Sequence, residues 1–242
     1  MSGPDLPRRL AAEALGTFAL VVAGCGAVAV GARYGVIGHG GVAAAFGLVV
    51  AAMVFALGHL SGAHLNPAVT LAFTAGRHFP RREVVPYVLA QLAGAALGAL
   101  ALRGLFGTAG DLGVTRPSGV SDVAAAGVEA GLTAVLVAVI LAVATDTRAQ
   151  GQLAALAVGI TVGLEALVMG PVTGASMNPA RSFGPALAVW DWSGFWIYLA
   201  GPVLGGVIGT GVYELLRGRP HPAGAPPDAV LDAAVLREAA RP

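Results

Sequence analysis

Six long apolar segments constrain this chain more than any other feature, because a run of about 20 apolar residues matches the hydrocarbon core of a bilayer. They lie at residues 10–31, 41–60, 84–105, 121–144, 153–170 and 194–215. Of the 242 residues 56% are apolar and only 11% are charged, which is too little polar surface for a soluble globular enzyme. The sequence therefore predicts an all-α integral membrane protein with six transmembrane helices.

Two shorter apolar stretches, 66–76 and 178–189, lie between these segments. At about 1.5 Å per residue, each crosses only about half of a ~30 Å hydrocarbon core. We therefore predict two re-entrant half-helices. Outside the channel domain at 8–217 we expect an N-terminal tail at 1–7 and a flexible Pro/Ala-rich tail at 218–242, both cytoplasmic.

The arginines predict the orientation, because cytoplasmic loops carry an excess of positive charge. With both termini inside, eight arginines are cytoplasmic and four are external. The cytoplasmic set is Arg8, Arg9, Arg77, Arg81, Arg82, Arg148, Arg217 and Arg219, and the external set is Arg33, Arg103, Arg116 and Arg181. This predicts an inner (plasma) membrane protein with both termini in the cytoplasm. The net charge of +1, without a basic stripe, argues against a nucleic-acid partner.

Three motifs recur in the same order in the two halves of the chain. Ser-Gly-Ala-His-Leu-Asn-Pro-Ala at 61–68 is repeated as Thr-Gly-Ala-Ser-Met-Asn-Pro-Ala at 173–180, Glu13 and Thr17 as Glu129 and Thr133, and the segment 91–98 as 198–205. The halves, 8–117 and 118–217, each contain three spans, so the second must insert upside down. Inverted repeats place a shared site near the bilayer midplane.

The two Asn-Pro-Ala motifs, Asn66-Pro67-Ala68 and Asn178-Pro179-Ala180, open the predicted half-helices. Asparagine caps helices well and proline suits the first helical position. Each cap oxygen then accepts an N–H of its own helix, which leaves the NH₂ group as a donor. Inversion brings the two tips together, so both donors orient one water oxygen while two positive helix ends repel cations. The alternative is that each Asn-Pro only starts a helix.

The segments before these motifs are too short to be helical, and such backbone is tolerated at this depth only where it lines a cavity. We expect the pore to be lined by Gly62, Ala63, His64, Gly174 and Ser176.

Two carboxylates, Glu13 and Glu129, occupy matching positions within spans. We expect each to accept N–H groups from its re-entrant loop and hold that loop in place. The alternative is a proton relay, as in a transporter. Glu165 has no counterpart in the first half and receives no assignment. His59 and His64 flank the first loop, as loop residues or as a pH gate.

The paired Asn-Pro-Ala motifs, with Arg181 and Ser182 after the second, resemble those of the aquaporin family of major intrinsic proteins. The resemblance extends over residues 8–217 and includes the opening Ala-Glu-x-x-Gly-Thr-Phe at 12–18. It is closest to bacterial water-channel members. It implies a homotetramer with one pore through each monomer. The sequence has no nucleophile–base pair and no metal cluster, so we expect no enzymatic activity, no cofactor and no metal.

By the same resemblance, the selectivity filter consists of Phe46, Ala166, Ala175 and Arg181. The phenylalanine and arginine are similar to water-selective members, which usually have histidine at the position of Ala166. Glycerol facilitators usually have tryptophan at the position of Phe46 and aspartate at that of Ser182. Alanine in place of histidine predicts a wider, more apolar opening.

We therefore expect a passive channel for water that also conducts small neutral solutes such as glycerol, urea or ammonia and excludes protons and ions. Three alternatives remain. The first is a solute facilitator with water as a secondary substrate. The second is a secondary transporter built on an inverted repeat. The third is a structural membrane protein whose pore is closed.

Overall fold

The computed structural model describes residues 4–145 and 153–217, and these residues form helices joined by short connections. The α-helices are α1 (Leu6–Tyr34), α2 (His39–Ser61), α3 (Pro67–Ala75), α4 (Val84–Phe106), α5 (Asp122–Thr145), α6 (Ala154–Thr173), α7 (Pro179–Val189) and α8 (Ile197–Arg217). Short 3-10 segments lie at Arg81–Glu83 and Ala109–Gly113. The predicted tail at 218–242 and Arg148 lie outside the described residues.

The six predicted spans are confirmed as six helices in the described part of the chain that are long and apolar enough to cross a membrane. They have 20 to 29 residues, whereas α3 has 9 and α7 has 11. Glycines end three of the spans in the left-handed region, Gly35 at φ 70°, Gly62 at φ 89° and Gly174 at φ 88°. Glycine adopts this conformation without the steric penalty that a side chain brings.

The two halves interlock through their half-helices. Within each half the first and third spans pack side by side, α1 on α4 and α5 on α8, and α2 packs on α6 between the halves. The half-helix α7 packs mainly on α4, and α3 mainly on α8, so each half-helix lies against a span of the opposite half. This exchange brings the N-termini of α3 and α7 to the centre of the bundle.

The equivalence of α4 and α8 differs from the one read from the sequence. A Cβ added at Gly94 would lie 2.1 Å from the Ala14 carbonyl oxygen, and one at Gly205 would lie 2.2 Å from that of Ala130. The pairing of segments 91–98 and 198–205 is therefore wrong by one helical turn, since Gly94 corresponds to Gly205 rather than to Gly201. Both helices carry glycine at every fourth position here, so their pattern still matches itself after a four-residue shift.

The α1–α4 contact predicts that Gly94→Ala destabilises the protein. The added methyl group would collide with the backbone of α1 at Ala14, which cannot move aside as a side chain could. The two helices are therefore forced apart, at a cost of about 1–3 kcal/mol. Thermal unfolding in detergent should show a clear fall in Tm. Gly104→Ala in the same helix is the matched control, because a Cβ added there would meet nothing within 4 Å among the described residues. Equal melting temperatures for the two variants would contradict this packing.

Candidate functional site

The two asparagines begin the half-helices in the same way. Asn66 and Asn178 have extended backbones, and Pro67 and Pro179 occupy the first helical positions. The Asn66 Oδ1 accepts a hydrogen bond from the Ala68 N–H at 2.9 Å. The Asn178 Oδ1 accepts from the Ala180 N–H at 3.0 Å and from the Arg181 N–H at 3.2 Å. Each amide oxygen is thus used within its own helix, which leaves the NH₂ group.

The NH₂ groups reach across the repeat. The Asn66 Nδ2 donates to the Met177 carbonyl oxygen at 2.8 Å, and the Asn178 Nδ2 donates to the Leu65 carbonyl oxygen at 2.8 Å. The sequence predicts the NH₂ group as a donor to the pore, and the structure shows that one of its two hydrogens is used in this crossed pair. One N–H per asparagine is left for a molecule in the cavity that both side chains line.

The loops before the asparagines share an unusual backbone. Ala63 and Leu65 have φ of 45° and 52°, and the equivalent Ala175 and Met177 have 41° and 55°. A residue other than glycine in this region costs on the order of 1–3 kcal/mol and persists only where its surroundings fix it. Leu65 and Met177 accept the crossed bonds from the asparagines, so the strain lies at the residues that join the two halves.

Two buried carboxylates hold these loops. Glu13 accepts four hydrogen bonds: its Oε1 from the Ser61 Oγ at 2.7 Å and the His64 N–H at 3.0 Å, and its Oε2 from the Leu65 N–H at 2.7 Å and the Gln91 Nε2 at 2.8 Å. Both this carboxylate and that of Glu129 are fully buried. A buried charge without such partners would be costly.

Glu129 repeats the arrangement in the second half with three donors. Its Oε1 accepts from the Thr173 Oγ1 at 2.8 Å and the Ser176 N–H at 2.9 Å, and its Oε2 accepts from the Met177 N–H at 2.7 Å. Tyr198 completes this loop by donating its hydroxyl to the Thr173 carbonyl oxygen at 2.6 Å, as Tyr87 does to Ser61 at 2.9 Å.

Sequence reasoning missed most of these donors, although two signals were present. Ser61 and Thr173 lie at the same place in the repeated motif, and a polar Gln91 stands within an apolar span. The Gln91 Nε2 also donates to the Thr70 Oγ1 at 3.0 Å. In the second half Ser182 is the counterpart of Thr70, and its partner is Thr115 from the connection before α5. The Thr115 Oγ1 lies 2.8 Å from the Ser182 Oγ.

His64 is held by Thr70 of the half-helix α3. The Thr70 Oγ1 lies 3.0 Å from the His64 Nδ1 and donates to the Asn66 carbonyl oxygen at 3.1 Å. The imidazole is thus linked through one hydroxyl to the backbone of Asn66. His64 lines the central cavity, while His59 lines the wider one next to it.

One cavity of about 120 Å³ connects these residues, enough for several water molecules. Both asparagines and the four predicted filter residues line it, as do Gly62, Ala63, His64 and Ser176. Most of its remaining wall is aliphatic, from Leu20, Val50, Val54, Leu136, Ile140 and Val158 among others. Gly174 does not line the cavity, in contrast to the expectation, because it ends α6 and packs against Thr115.

The predicted filter residues surround Arg181 with an aromatic ring and methyl groups. The Arg181 side chain is buried at 5% exposure and donates from Nη1 to the Gly113 carbonyl oxygen at 2.6 Å. Its Cζ lies 4.7 Å from the centre of the Phe46 ring, a cation–π contact. Ala166 from α6 and Ala175 from the second loop complete the set with methyl groups only. Next to Ala166, the buried Glu165 Oε2 has no hydrogen-bond partner within the described ranges.

The comparisons with known proteins agree with this geometry. The family model "Major intrinsic protein" matches residues 1–213. This chain belongs to the major intrinsic protein family. It is 49% identical over 219 residues to "Aquaporin NIP1-3" of Oryza sativa subsp. japonica, covering 90% of this chain and 76% of the relative. It is 45% identical over 212 residues to "Nodulin-26" of Glycine max, covering 87% and 78%.

Among solved structures, this family member is similar to the aquaglyceroporin from Plasmodium falciparum. The TM-score is 0.80 at 28% identity, over 86% of this chain and 96% of the other. Aquaporin-family members are channels and not enzymes, so this chain is an integral membrane channel for water and small solutes with the aquaporin fold.

The contacts of Glu129 predict that Glu129→Gln destabilises the channel. The new NH₂ group meets donors where the carboxylate accepted them, so at least one hydrogen bond is lost, at a cost of about 1–3 kcal/mol. Both Tm in detergent and water permeability in liposomes should fall. Glu165→Gln is the matched control and should keep both, because it removes no hydrogen bond from the buried Oε2. Equal losses in the two variants would contradict the assignment.

Proposed function

We propose that the channel conducts water together with small neutral solutes, such as glycerol, urea or ammonia, and excludes protons and ions. The observation that carries this proposal is the crossed pair of asparagines in the narrow cavity. Each has one amide hydrogen left, and the two half-helices that they cap meet there.

The remaining amide hydrogens act on a passing water molecule. Its oxygen accepts from Asn66 and Asn178, so its own hydrogens point along the pore and not toward those donors. A hydrogen-bonded chain that reverses direction at this point does not relay a proton. The N-terminal ends of α3 and α7 carry partial positive charge and raise the energy of a cation. The aliphatic wall offers few competing bonds, which favours fast passage.

The filter proposal rests on Phe46, Ala166, Ala175 and Arg181. The buried guanidinium of Arg181 repels cations and offers N–H donors to a neutral solute. Ala166 and Ala175 present methyl groups, so the opposite wall lacks the bulk and the polar atoms that an imidazole would bring. The similarity to a protein described as an aquaglyceroporin supports passage of solutes larger than water.

We assign Glu13 and Glu129 to loop support rather than to proton relay. All four carboxylate oxygens already accept hydrogen bonds from the loops and their neighbours, and neither residue lines the cavity. A relay needs a carboxylate that reaches the transport path. This favours a passive channel over a secondary transporter.

We also propose the assembly and location. The bias of arginine toward the side of the termini supports an inner (plasma) membrane protein with cytoplasmic N- and C-termini. The family resemblance supports a homotetramer with one pore per chain.

The filter predicts that Ala166→His reduces glycerol and urea permeability severalfold and leaves water permeability nearly unchanged, because the imidazole narrows the opening without closing it. Stopped-flow light scattering of proteoliposomes measures both quantities, first with an impermeant osmolyte and then with solute gradients. Ala52→His, on an exposed position of α2 that does not line the cavity, is the matched control.

The same vesicles separate the alternatives. Fast shrinkage with a weak temperature dependence and no effect of an uncoupler supports the channel, whereas saturable uptake that an uncoupler abolishes indicates a transporter. Solute flux that exceeds water flux indicates a facilitator with water as a secondary substrate. Unchanged solute flux in Ala166→His would overturn the filter assignment.

A further inference from the structure

The connection between α4 and α5 carries a strained turn against the filter. Four consecutive residues are left-handed, Gly110 at φ 59°, Asp111 at 48°, Leu112 at 52° and Gly113 at 73°. Two of them are not glycine, and such residues keep this conformation only where contacts fix it. Leu112 is fully buried in the core next to α1, which anchors one side of the turn. We call residues 110–116 the strap.

The strap forms hydrogen bonds to α7 at two places and to a residue just beyond the end of α7 at a third. The Gly113 carbonyl oxygen accepts from the Arg181 Nη1 at 2.6 Å, and the Thr115 Oγ1 lies 2.8 Å from the Ser182 Oγ. The third tie is Arg116, whose guanidinium donates to Asp191 just beyond the end of α7. The carbonyl that fixes the filter arginine therefore lies between a buried anchor and an exposed ion pair.

Arg116 joins two carboxylates. Its Nη1 donates to the Asp111 Oδ2 at 2.8 Å within the strap, and its Nε donates to the Asp191 Oδ2 at 3.0 Å. The Ser193 N–H donates to the Asp191 Oδ1 at 2.9 Å. This backbone hydrogen bond, with the one from Arg116, lowers the pKa of Asp191 to about 2, so the carboxylate is ionised near neutral pH.

We propose that Arg116 is a positioning residue for the selectivity filter, holding the strained strap with Asp111 and Asp191 so that the Gly113 carbonyl fixes the guanidinium of Arg181. The inference rests on the proposed filter. With the Arg116 ion pair in place, the Arg181 guanidinium is held on one side by the Gly113 carbonyl and on the other by the Phe46 ring. Without the ion pair the strap relaxes toward ordinary backbone, and the Arg181 guanidinium no longer defines the width of the opening.

A second contact keeps the fold independent of this ion pair. Arg103, near the end of α4, donates to the Ala188 carbonyl oxygen in the last turn of α7. Together with the packing of α7 on α4, this holds the end of the half-helix when Arg116 is changed. Loss of the ion pair should therefore alter the filter and leave the crossed asparagines in place.

The experiment measures the ratio of glycerol to water permeability for Arg116→Gln and Asp191→Asn in liposomes. Asp191→Asn removes the charge and keeps the Oδ1 that accepts from Ser193. We expect the ratio to rise about twofold or more in both variants, with water permeability retained. Arg116→Lys should give a ratio between those of the wild type and Arg116→Gln, because lysine keeps the charge but lacks the planar donors. Arg33→Gln is the control, an exposed arginine that lies over the Tyr34 ring.

The outcomes separate this inference from the filter proposal. A raised ratio in both variants, with Arg33→Gln unchanged, supports the positioning role. A wild-type ratio overturns it, and so does an equal fall of water and glycerol permeability, which indicates a merely structural contact. Where Arg116→Gln does not reconstitute, Asp191→Asn decides. Ala166→His is measured alongside: if it changes solute flux and the strap variants do not, the positioning role alone fails.

Discussion

Two hydrogen bonds that cross between the halves, from Asn66 to the Met177 carbonyl and from Asn178 to the Leu65 carbonyl, are the constraint on which the structure depends. They form only if two helix tips meet in the middle of an apolar bundle, so the chain needs two helices that stop halfway. The backbone segments before those tips must also bend sharply, which places Leu65 and Met177 in the left-handed region. The cost of that strain and burial has to be offset nearby.

The buried glutamates supply this compensation. A carboxylate in a membrane span is costly, but it accepts several hydrogen bonds at once and so fixes several loop N–H groups with one side chain. The halves then differ in detail. Gln91 in α4 donates to both Glu13 and Thr70, whereas its counterpart in α8 is Pro202, which has no side-chain donor. In the second half Thr115, from the connection before α5, forms the hydrogen bond to Ser182 instead. Inverted symmetry is preserved in the backbone and the carboxylates, while the supporting side chains are free to differ.

The sequence predicts what depends on local pattern and fails where the answer depends on approach in space. Six spans and two half-helices follow from apolar length, and the helix starts follow from Asn-Pro. The register of α4 against α8 does not, because glycines at every fourth position repeat themselves after one turn. The hydrogen bond from each asparagine to the opposite loop could not be predicted either, because it depends on how closely the two helix tips approach. The contact between Gly113 and Arg181 joins residues far apart in sequence through a left-handed turn that no motif marks.

Selection by size in the proposed filter needs walls that keep one geometry, and the contacts of the Arg181 guanidinium beside a nearly apolar opening meet this need. Methyl groups at Ala166 and Ala175 cannot adapt to a solute, and the Phe46 ring is packed against Arg181. The guanidinium is the one long side chain among these four residues, and left free it would sample many rotamers. A carbonyl fixed by a strained strap reduces that freedom to one geometry. In the proposed filter, the width of the opening therefore depends on the strap that holds Arg181. Selectivity then depends partly on strap residues that do not line the cavity.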